Sequence, residues 1–418
     1  MHKDDMDGLT RRGFLKASCG VGATAFLSGV NMLTMEEVAQ AAARNPLPAG
    51  SGILVVVTLY GGNDGLNTVV PYADAAYSSA RSELAYAEAD VIKLDGSLGL
   101  NPGMTGFKSL WDAGKLAIVR GVGYPDSDHS HFRSMDIWQT ASPISPVGSG
   151  WLGRWLDYTR SAPITAMNIG STMPPLLVGN QVSGSTLPVN GLRIPSGNLR
   201  TQLRKFGAGA KELSPLQQSV AQAVQDWFGT AADTADALKA MLPTTNDPAD
   251  AAAGATGTGG EGQLADQLDV VARLINASVP TRVYSVSLGG FDTHSNEKGA
   301  QTTLLKQVSQ SIANFMKQIS ATSRANDVTV LVYSEFGRRV AANLSNGTDH
   351  GTAGPAFIIG NSVKGGFYGA QPSLSQLWDG DLEVTTDFRD IYASLLETCL
   401  KTDAEAVLGK WSGRVAYS

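Results

Sequence analysis

Cysteine and histidine are scarce in this chain, which holds only two cysteines and five histidines in 418 residues. Cys19 lies near the N-terminus and Cys399 near the C-terminus. If Cys19 is lost with an N-terminal leader, no internal disulfide can form, and stability must come from an ordinary hydrophobic core. Hydrophobic residues make up 43% of the chain, which is ample for one large domain or two smaller ones.

A strong charge of one sign and a long apolar run are also missing. The formal net charge is only −6, and basic and acidic residues are interspersed. The chain therefore lacks the electrostatic footprint of a protein that binds nucleic acid or an anionic membrane. The run from Gly20 to Met35 is too short and too rich in glycine for a stable membrane span.

The N-terminal segment carries the pattern of an export signal. Arg11 and Arg12 precede the weakly apolar run, and a small-residue cleavage region follows at Ala39 to Ala43. This order predicts a twin-arginine signal peptide at 1–43, with the twin-arginine machinery as partner and a periplasmic or secreted location. The alternative is a basic turn before a soluble helix.

The remainder, 44–418, alternates between strand and helix patterns. Continuous apolar runs predict buried strands, and helical patterns at 263–277 and 302–320 fall between them. This alternation predicts a single α/β domain with a doubly wound, mostly parallel sheet and helices on both faces. One or two helices are expected at 211–243, and a flexible insertion at 244–262. The predicted strands are 53–59, 116–122, 282–288, 328–333 and 356–359.

Apart from His2, every histidine lies in a short polar cluster with an aspartate within three positions. These residues are His129, His131, His294 and His350. Imidazole and carboxylate together suit divalent metals, above all Zn²⁺ or Mn²⁺, because both bind at neutral pH without a thiolate. The alternative is that each aspartate caps a helix or orients a structural histidine.

Several carboxylates directly follow predicted strands. Asp64, Asp292 and Glu335 would therefore converge at the carboxyl edge of the sheet. Asp292 and His294 are two positions apart, so in extended backbone both face the same way and can serve one metal. For Asp64, which follows Gly61 and Gly62, the alternative is a tight turn.

Two further residues could act on an anionic substrate. With Asp128 as N-cap, Ser130 would lie in the first turn of a helix, where backbone N–H groups favour an anion and a hydroxyl could attack phosphate. It could equally be an ordinary first-turn serine. Arg338 could hold an oxyanion bidentately or pair with Glu335.

The layout resembles the exported bacterial family labelled domain of unknown function 1501, over nearly the whole chain after the signal. That family looks like a distant relative of the alkaline phosphatase and sulfatase superfamily. The resemblance implies a metal-dependent phospho- or sulfo-ester hydrolase, or a related transferase, with two metals and a hydroxyl or formylglycine nucleophile. The matching strings are Leu59 to Asn67, Ser130 to Phe132, Gly290 to His294, Ser334 to Arg338, Gly347 to Gly351 and Thr386 to Tyr392.

The resemblance also implies roles for single residues. Asp64 resembles the first-strand metal aspartate, and Asp292 with His294 resembles the superfamily's Asp and His pair at a shorter spacing. Glu335 falls where an Asp-His pair is expected, but Phe336 replaces the histidine.

His350 resembles the last histidine ligand, although a competing alignment places Asp349 and His350 on the Asp-His-Gly motif. Asn67, His129 and His131 are expected to support the ligands. One or two ions of Zn, Mn or Ca are therefore expected. No cysteine occupies a sulfatase-type site, which excludes a cysteine-derived formylglycine.

Two other functions stay open. One is a catalytically inactive exported protein on the same fold, which binds an envelope polymer or a partner in place of a small anionic ester. The other is a serine esterase, because Gly61 to Asp64 satisfies a Gly-x-Asn-Asp block and Asp126 to His129 satisfies Asp-x-x-His. The order of the blocks argues against the esterase, since no earlier Gly-Asp-Ser block supplies its nucleophile.

Overall fold

The computed structural model describes residues 31–33, 35–170, 172–188, 260 and 263–418. The predicted helices at 211–243 lie outside the described residues, and so does the predicted insertion at 244–262 apart from residue 260. Residues 1–30 of the predicted signal lie outside them as well.

The described residues form strands β1 to β15 and helices α1 to α9. The strands are β1 Asn31–Met32, β2 Ile53–Leu59, β3 Val69–Val70, β4 Ile92–Lys93, β5 Gly99–Leu100, β6 Leu116–Gly123, β7 Ala166–Ile169, β8 Ser185–Leu187, β9 Val283–Leu288, β10 Val328–Ser334, β11 Gly354–Gly360, β12 Gly366–Tyr368, β13 Leu377–Trp378, β14 Asp381–Leu382 and β15 Thr386–Asp387. The α-helices are α1 Met35–Arg44, α2 Ala75–Arg81, α3 Thr105–Asp112, α4 His131–Thr140, α5 Trp151–Thr159, α6 Leu264–Asn276, α7 Glu297–Ser320, α8 Phe388–Thr398 and α9 Glu405–Leu408. Short 3-10 helices occupy Ser82–Leu84, Pro163–Thr165 and Pro175–Leu177.

Ten of these strands form one sheet in the order β1, β8, β7, β9, β2, β10, β11, β6 and β12, with β15 also paired to β6. All described neighbours in this sheet pair in parallel except β11, which is antiparallel to both β10 and β6. The five predicted strands are the adjacent strands β9, β2, β10, β11 and β6. The prediction of a mostly parallel sheet is confirmed.

Strand β2 shows why the sheet is covered on both faces. All seven of its residues are buried. Because successive side chains of a strand point to opposite faces, they divide between two cores. Val55 and Val57 pack with residues of α3, α6 and α7. Leu54 and Val56 pack with residues of α4, α5 and α8 on the other face, so the doubly wound arrangement is confirmed.

The carboxyl ends of β2, β6, β9 and β10 share one edge of the sheet, because these strands run in the same direction. Strand β11 runs in the opposite direction and therefore begins at that edge. The segments that follow β2, β6, β9 and β10 meet there with the segment that precedes β11. Among the described residues, no helix combines the length and the apolar character needed to cross a membrane.

Candidate metal centre

Three side chains from distant parts of the chain meet at this edge. His131 is the first residue of α4, Asp292 follows β9, and His350 precedes β11. Their ligand atoms all lie within 4.8 Å of one another, close enough to hold one metal ion. The Oδ1 atom of Asp292 lies 3.4 Å from His131 Nε2 and 3.2 Å from His350 Nε2.

His294 brings a fourth ligand atom to the same carboxylate. Its Nε2 lies 3.0 Å from Asp292 Oδ1 and 2.9 Å from His350 Nε2. Ligands that bind Zn²⁺ at about 2.0–2.1 Å in a tetrahedron are about 3.3 Å apart. The observed separations are close to that spacing. His294 differs from the other two imidazoles because its side chain is 44% exposed.

The second ring nitrogen of each imidazole has an oxygen partner. His131 Nδ1 lies 2.9 Å from Glu335 Oε1, and His294 Nδ1 lies 3.3 Å from Asp349 Oδ1. His350 Nδ1 lies 2.7 Å from the carbonyl oxygen of His129. An Nδ1–H that donates to such an acceptor leaves Nε2 as the lone-pair atom, which is the usual arrangement of histidines that bind a metal. The residues present therefore fit a divalent cation.

Glu335 lies behind His131 and outside the group of ligand atoms. Its buried Oε1 accepts the backbone N–H of Gly61 at 2.8 Å as well as His131 Nδ1, and Oε2 accepts the Ser334 hydroxyl at 3.0 Å. The sequence prediction gave Glu335 a place as ligand and His131 a supporting role. The structure exchanges the two positions, because the imidazole is long enough to lie between the carboxylate and the centre.

Arg338 is buried and anchors Asp292. Its Nη2 donates to Asp292 Oδ1 at 2.7 Å, and the side chain has no exposed surface. We expected Arg338 to steady a substrate oxyanion, but the guanidinium is occupied inside the protein. Its other acceptors are the carbonyl oxygens of Gly61, Gly62, Phe291 and Thr348.

Hydrogen bonds within the centre shift the pKa values of Asp292 and His131 in opposite directions. Burial acts to raise the pKa of Asp292, but hydrogen bonds from His131, His350 and Arg338 hold it well below its usual range. Burial acts to lower the pKa of His131, but its hydrogen bonds to Asp292 and Glu335 outweigh that effect and raise the pKa to about 9. The carboxylates of Asp292 and Glu335 therefore favour a positive charge at His131.

Asp64 is committed to a buried ion pair. Both of its carboxylate oxygens accept from Arg81 in α2, and neither side chain has exposed surface. Burial acts to raise the pKa of Asp64, and the positive charge of Arg81 brings it below the usual value. Asp64, which was expected to bind metal, therefore lies outside the group around Asp292, and its charge is paired with Arg81.

Two neighbours of Asp64 are structural too. Asn67 is buried, donates to the carbonyl oxygen of Leu84 at 3.1 Å and accepts the Tyr77 hydroxyl at 2.7 Å. Asn63 is buried as well and donates to Thr68 Oγ1 at 2.9 Å. The block that suggested an esterase is therefore enclosed by the protein.

Ser130 is the N-cap residue of α4 and is exposed. Its N–H donates to Asp128 Oδ1 at 2.7 Å. The prediction that Asp128 is the N-cap was wrong by two residues, because the helix begins at His131. The serine hydroxyl is one residue from a ligand, and the first N–H groups of α4 lack partners within the helix.

Close packing holds these segments together. Gly61 has a φ of 117°, and a Cβ atom there would lie 2.4 Å from the backbone nitrogen of Asp292. A larger residue would separate the segments after β2 and β9. Phe336, which stands where a histidine was expected, packs its ring 4.9 Å from that of His131 and 5.0 Å from that of His350.

The sequence signal for the residues that were missed is weak. His131 was visible beside His129, but only the start of α4 decides which of the two reaches the centre. The side chain of His129 instead lies 3.0 Å from the buried Asp381, measured from Nε2 to Oδ2. Neither Arg81 nor Asp381 lies in a recognisable motif.

A family model described as "Protein of unknown function (DUF1501)" matches residues 120–415. No curated protein matches the chain.

Several solved structures are similar to this chain at low sequence identity. A protein in the alkaline phosphatase superfamily from Vibrio parahaemolyticus has a TM-score of 0.40 and 11% identity, covering 91% of this chain and 79% of that one. The lipoteichoic acid synthase LtaP from Listeria monocytogenes has a TM-score of 0.36 and 8% identity, with the same coverage of 91% and 79%. The C-terminal periplasmic domain of EcEptC from Escherichia coli, in complex with Zn, has a TM-score of 0.35 and 10% identity, covering 76% of this chain and 78% of that one.

Proposed function

We propose, on the premise that the chain belongs to the DUF1501 family of proteins of unknown function, that it is a metal-dependent hydrolase of phospho- or sulfo-esters, or a related transferase. The observation that carries the proposal is the set of imidazoles around Asp292. Each directs Nε2 to the shared carboxylate, while its Nδ1 has an oxygen partner. Such paired orientation is what a metal site requires and what a helix cap does not.

His131, Asp292 and His350 would hold the cation, and the exposed His294 would lie beside a fourth position that stays open to water or substrate. Three imidazoles favour Zn²⁺ or Mn²⁺ over Ca²⁺, because Ca²⁺ takes oxygen ligands. A bound divalent cation would polarise an ester oxygen and make a nearby hydroxyl easier to deprotonate.

Ser130 is the proposed nucleophile. Its Oγ forms a bond to phosphorus while the bond from phosphorus to the ester oxygen breaks, the serine proton passes to water, and the leaving alcohol takes up a proton. Water then attacks the serine ester, releases phosphate and restores the hydroxyl. The first-turn N–H groups of α4 would bind the remaining anionic oxygens. The same exchange applies to a sulfuryl group.

Metal content tests the ligand set. Protein purified without chelator should hold close to one equivalent of metal, measured by elemental analysis. Single changes of His131, Asp292 and His350 to alanine should each lower that content, because a lost ligand weakens binding. Asp112→Ala, at a surface aspartate paired with Lys108, is the matched control. Unchanged metal content in all three site variants would mean that the histidine clusters are structural caps.

Turnover tests the chemistry. Aryl phosphates, phosphodiesters and sulfate esters should be assayed with added Mn²⁺, Zn²⁺ or Ca²⁺. Ser130→Ala should abolish turnover while leaving the metal bound. Retained turnover in that variant would assign the nucleophile elsewhere.

The exposed His294 favours a second candidate function. If it completes the set of four ligands, the site is closed in the manner of a structural metal site, on an exported protein that binds an envelope polymer. His294→Ala would then lower the thermal midpoint of the metal-loaded protein, and no ester would turn over in either form. In the hydrolase, the same variant would retain metal and change turnover.

Export rests on Arg11 and Arg12, and we infer a periplasmic or secreted location. Replacing both arginines by lysine should leave the precursor in the cytoplasm, because the twin-arginine machinery reads that pair. Cell fractionation with an antibody to the protein measures this. Normal export of the variant would refute the targeting proposal.

A further inference from the structure

Exposed apolar side chains gather on the segments that surround the metal centre. Seven large apolar side chains are exposed among the described residues, and four of them belong to segments that carry a ligand or are linked to one by hydrogen bonds or ion pairs: Phe132, Leu344, Leu377 and Trp378. Phe132 is 82% exposed, Leu344 106% and Trp378 52%. A single exposed apolar residue is ordinary, but a concentration around one site is typical of a binding surface.

Two of these residues are close in sequence to the ligands or to a residue that bonds to them. Phe132 directly follows His131 in the first turn of α4. Leu344 directly follows Asn343, whose Nδ2 donates to the carbonyl oxygen of His294 at 3.0 Å and to Asp349 Oδ1 at 3.2 Å. Both residues therefore lie next in sequence to a residue that is fixed at the centre or bonded to one of its members.

The third segment is the hairpin of β13 and β14, which carries Trp378. Asp379, the next residue, accepts from Arg339 through its carbonyl oxygen. Asp381 of the same hairpin lies 3.0 Å from His129, and the His129 carbonyl oxygen lies 2.7 Å from His350 Nδ1. The apolar rim, which we define as Phe132, Leu344 and Trp378, thus comes from three parts of the chain.

The metal centre and the apolar rim favour different chemical groups of a ligand. A cation at the centre and the N-terminus of α4 attract an anion. Phe132, Leu344 and Trp378 gain stability when an apolar group covers them. We propose that the substrate is an amphiphilic anionic ester, with its ester group at the centre and its alkyl or aromatic group on the apolar rim. This inference rests on the proposed function.

The charges beside the rim favour a single molecule over a bilayer surface. Asp349 and Asp379 are both largely exposed, at 62% and 83% of their side chains, and each lies close to a rim segment. Exposed carboxylates repel an anionic membrane surface. A dissolved amphiphile carries a single anionic group, which the centre attracts, and it presents no further negative charge to Asp349 and Asp379.

Binding of alkylphosphonates tests the inference without turnover, because their carbon to phosphorus bond is not an ester. Methyl-, butyl- and octylphosphonate are titrated below their micellar concentrations into the metal-loaded full chain by calorimetry. Octylphosphonate should bind at least about tenfold more tightly than methylphosphonate, which corresponds to about 1.4 kcal/mol. Phe132→Ser and Trp378→Ser should each reduce that ratio at least about threefold. Ile144→Ser, at a comparably exposed apolar residue outside the apolar rim, should leave it unchanged.

The outcomes separate this inference from the proposed function. If the three phosphonates bind equally well, the anion site stands and the apolar rim has no part in recognition. If none binds, the proposed function fails, and this inference fails with it. Sedimentation with phosphatidylcholine vesicles gives the remaining outcome. Vesicle binding that Phe132→Ser abolishes, with an unchanged ratio for the phosphonates, would make the rim a membrane contact and overturn the inference.

Discussion

Replacing Glu297 by glutamine should change how the stability of the protein depends on pH. Glu297 opens α7 and is fully buried, and its Oε2 accepts the Thr348 hydroxyl at 2.6 Å. Burial, followed by the negative charge of Asp64, raises its pKa from a usual 4.5 to about 9. The folded protein therefore keeps Glu297 neutral at pH 7.

The direction of the pH dependence follows from the number of protons that the folded and unfolded states bind. Between pH 4.5 and 9 the folded state holds a proton on Glu297 that the unfolded chain has lost. The contribution of Glu297 to the free energy of unfolding is complete below pH 4.5 and declines as the pH rises toward 9. One pH unit in this window is worth at most about 1.4 kcal/mol of unfolding free energy, so the change from pH 6 to pH 8 is at most about 3 kcal/mol.

Glutamine resembles the neutral acid but cannot ionise. The difference in unfolding free energy between Glu297→Gln and the wild type should therefore move in favour of the variant by up to about 3 kcal/mol from pH 6 to pH 8. Urea unfolding followed by circular dichroism, with a chelator present in both samples, measures it. Glu405→Gln, at an exposed glutamate, is the control and should show no such trend. A difference between Glu297→Gln and wild type that does not vary with pH would refute the reasoning.

Three further changes test how the centre is supported. Glu335→Gln should weaken metal binding about 10- to 100-fold, because His131 loses its anionic partner. Competition with a chromogenic chelator measures this affinity, and an unchanged value would contradict the supporting role of Glu335. Asp349→Asn should weaken it less in the same assay, since Asp349 is largely exposed and lies farther from its imidazole; an effect larger than that of Glu335→Gln would reverse the ranking. Arg338→Lys should lower both metal affinity and the unfolding free energy, the latter by about 3 kcal/mol, because lysine keeps the charge but cannot reach the same set of carbonyl oxygens; a thermal midpoint equal to that of the wild type would show that Arg338 is dispensable.

The centre of the sheet was predictable because its strands are buried on both faces and therefore read as continuous apolar runs. Strand β2 begins and ends where the sequence placed it, at Ile53 and Leu59. Strands β7 and β8 were not predicted, because four and three residues are too few to show a pattern. The antiparallel direction of β11 depends on contacts with β10 and β6 that no local pattern records.

The site was predictable in its residue types and less so in their roles. Asp292, His294 and His350 approach one another because each lies at the end of a segment that meets the carboxyl edge. The role of Asp64 depends on Arg81, seventeen residues later, whose approach is set by the packing of α2. Whether Glu335 or His131 lies nearer the centre depends on the reach of the two side chains, which spacing along the chain does not encode.

Strand β11 also bears on the order in which the protein folds. It lies between β10 and β6, so among the described strands β6 joins β10 and the strands beyond it only through β11, which is synthesised more than two hundred residues later. His131 is carried by the segment after β6 and Asp292 by the segment after β9. Until β11 inserts, the two are joined by a long open stretch of chain, and closing such a loop costs entropy that only later contacts offset. We therefore expect the centre to form late in folding, and a cation that binds there would report that β11 has taken its place between β10 and β6.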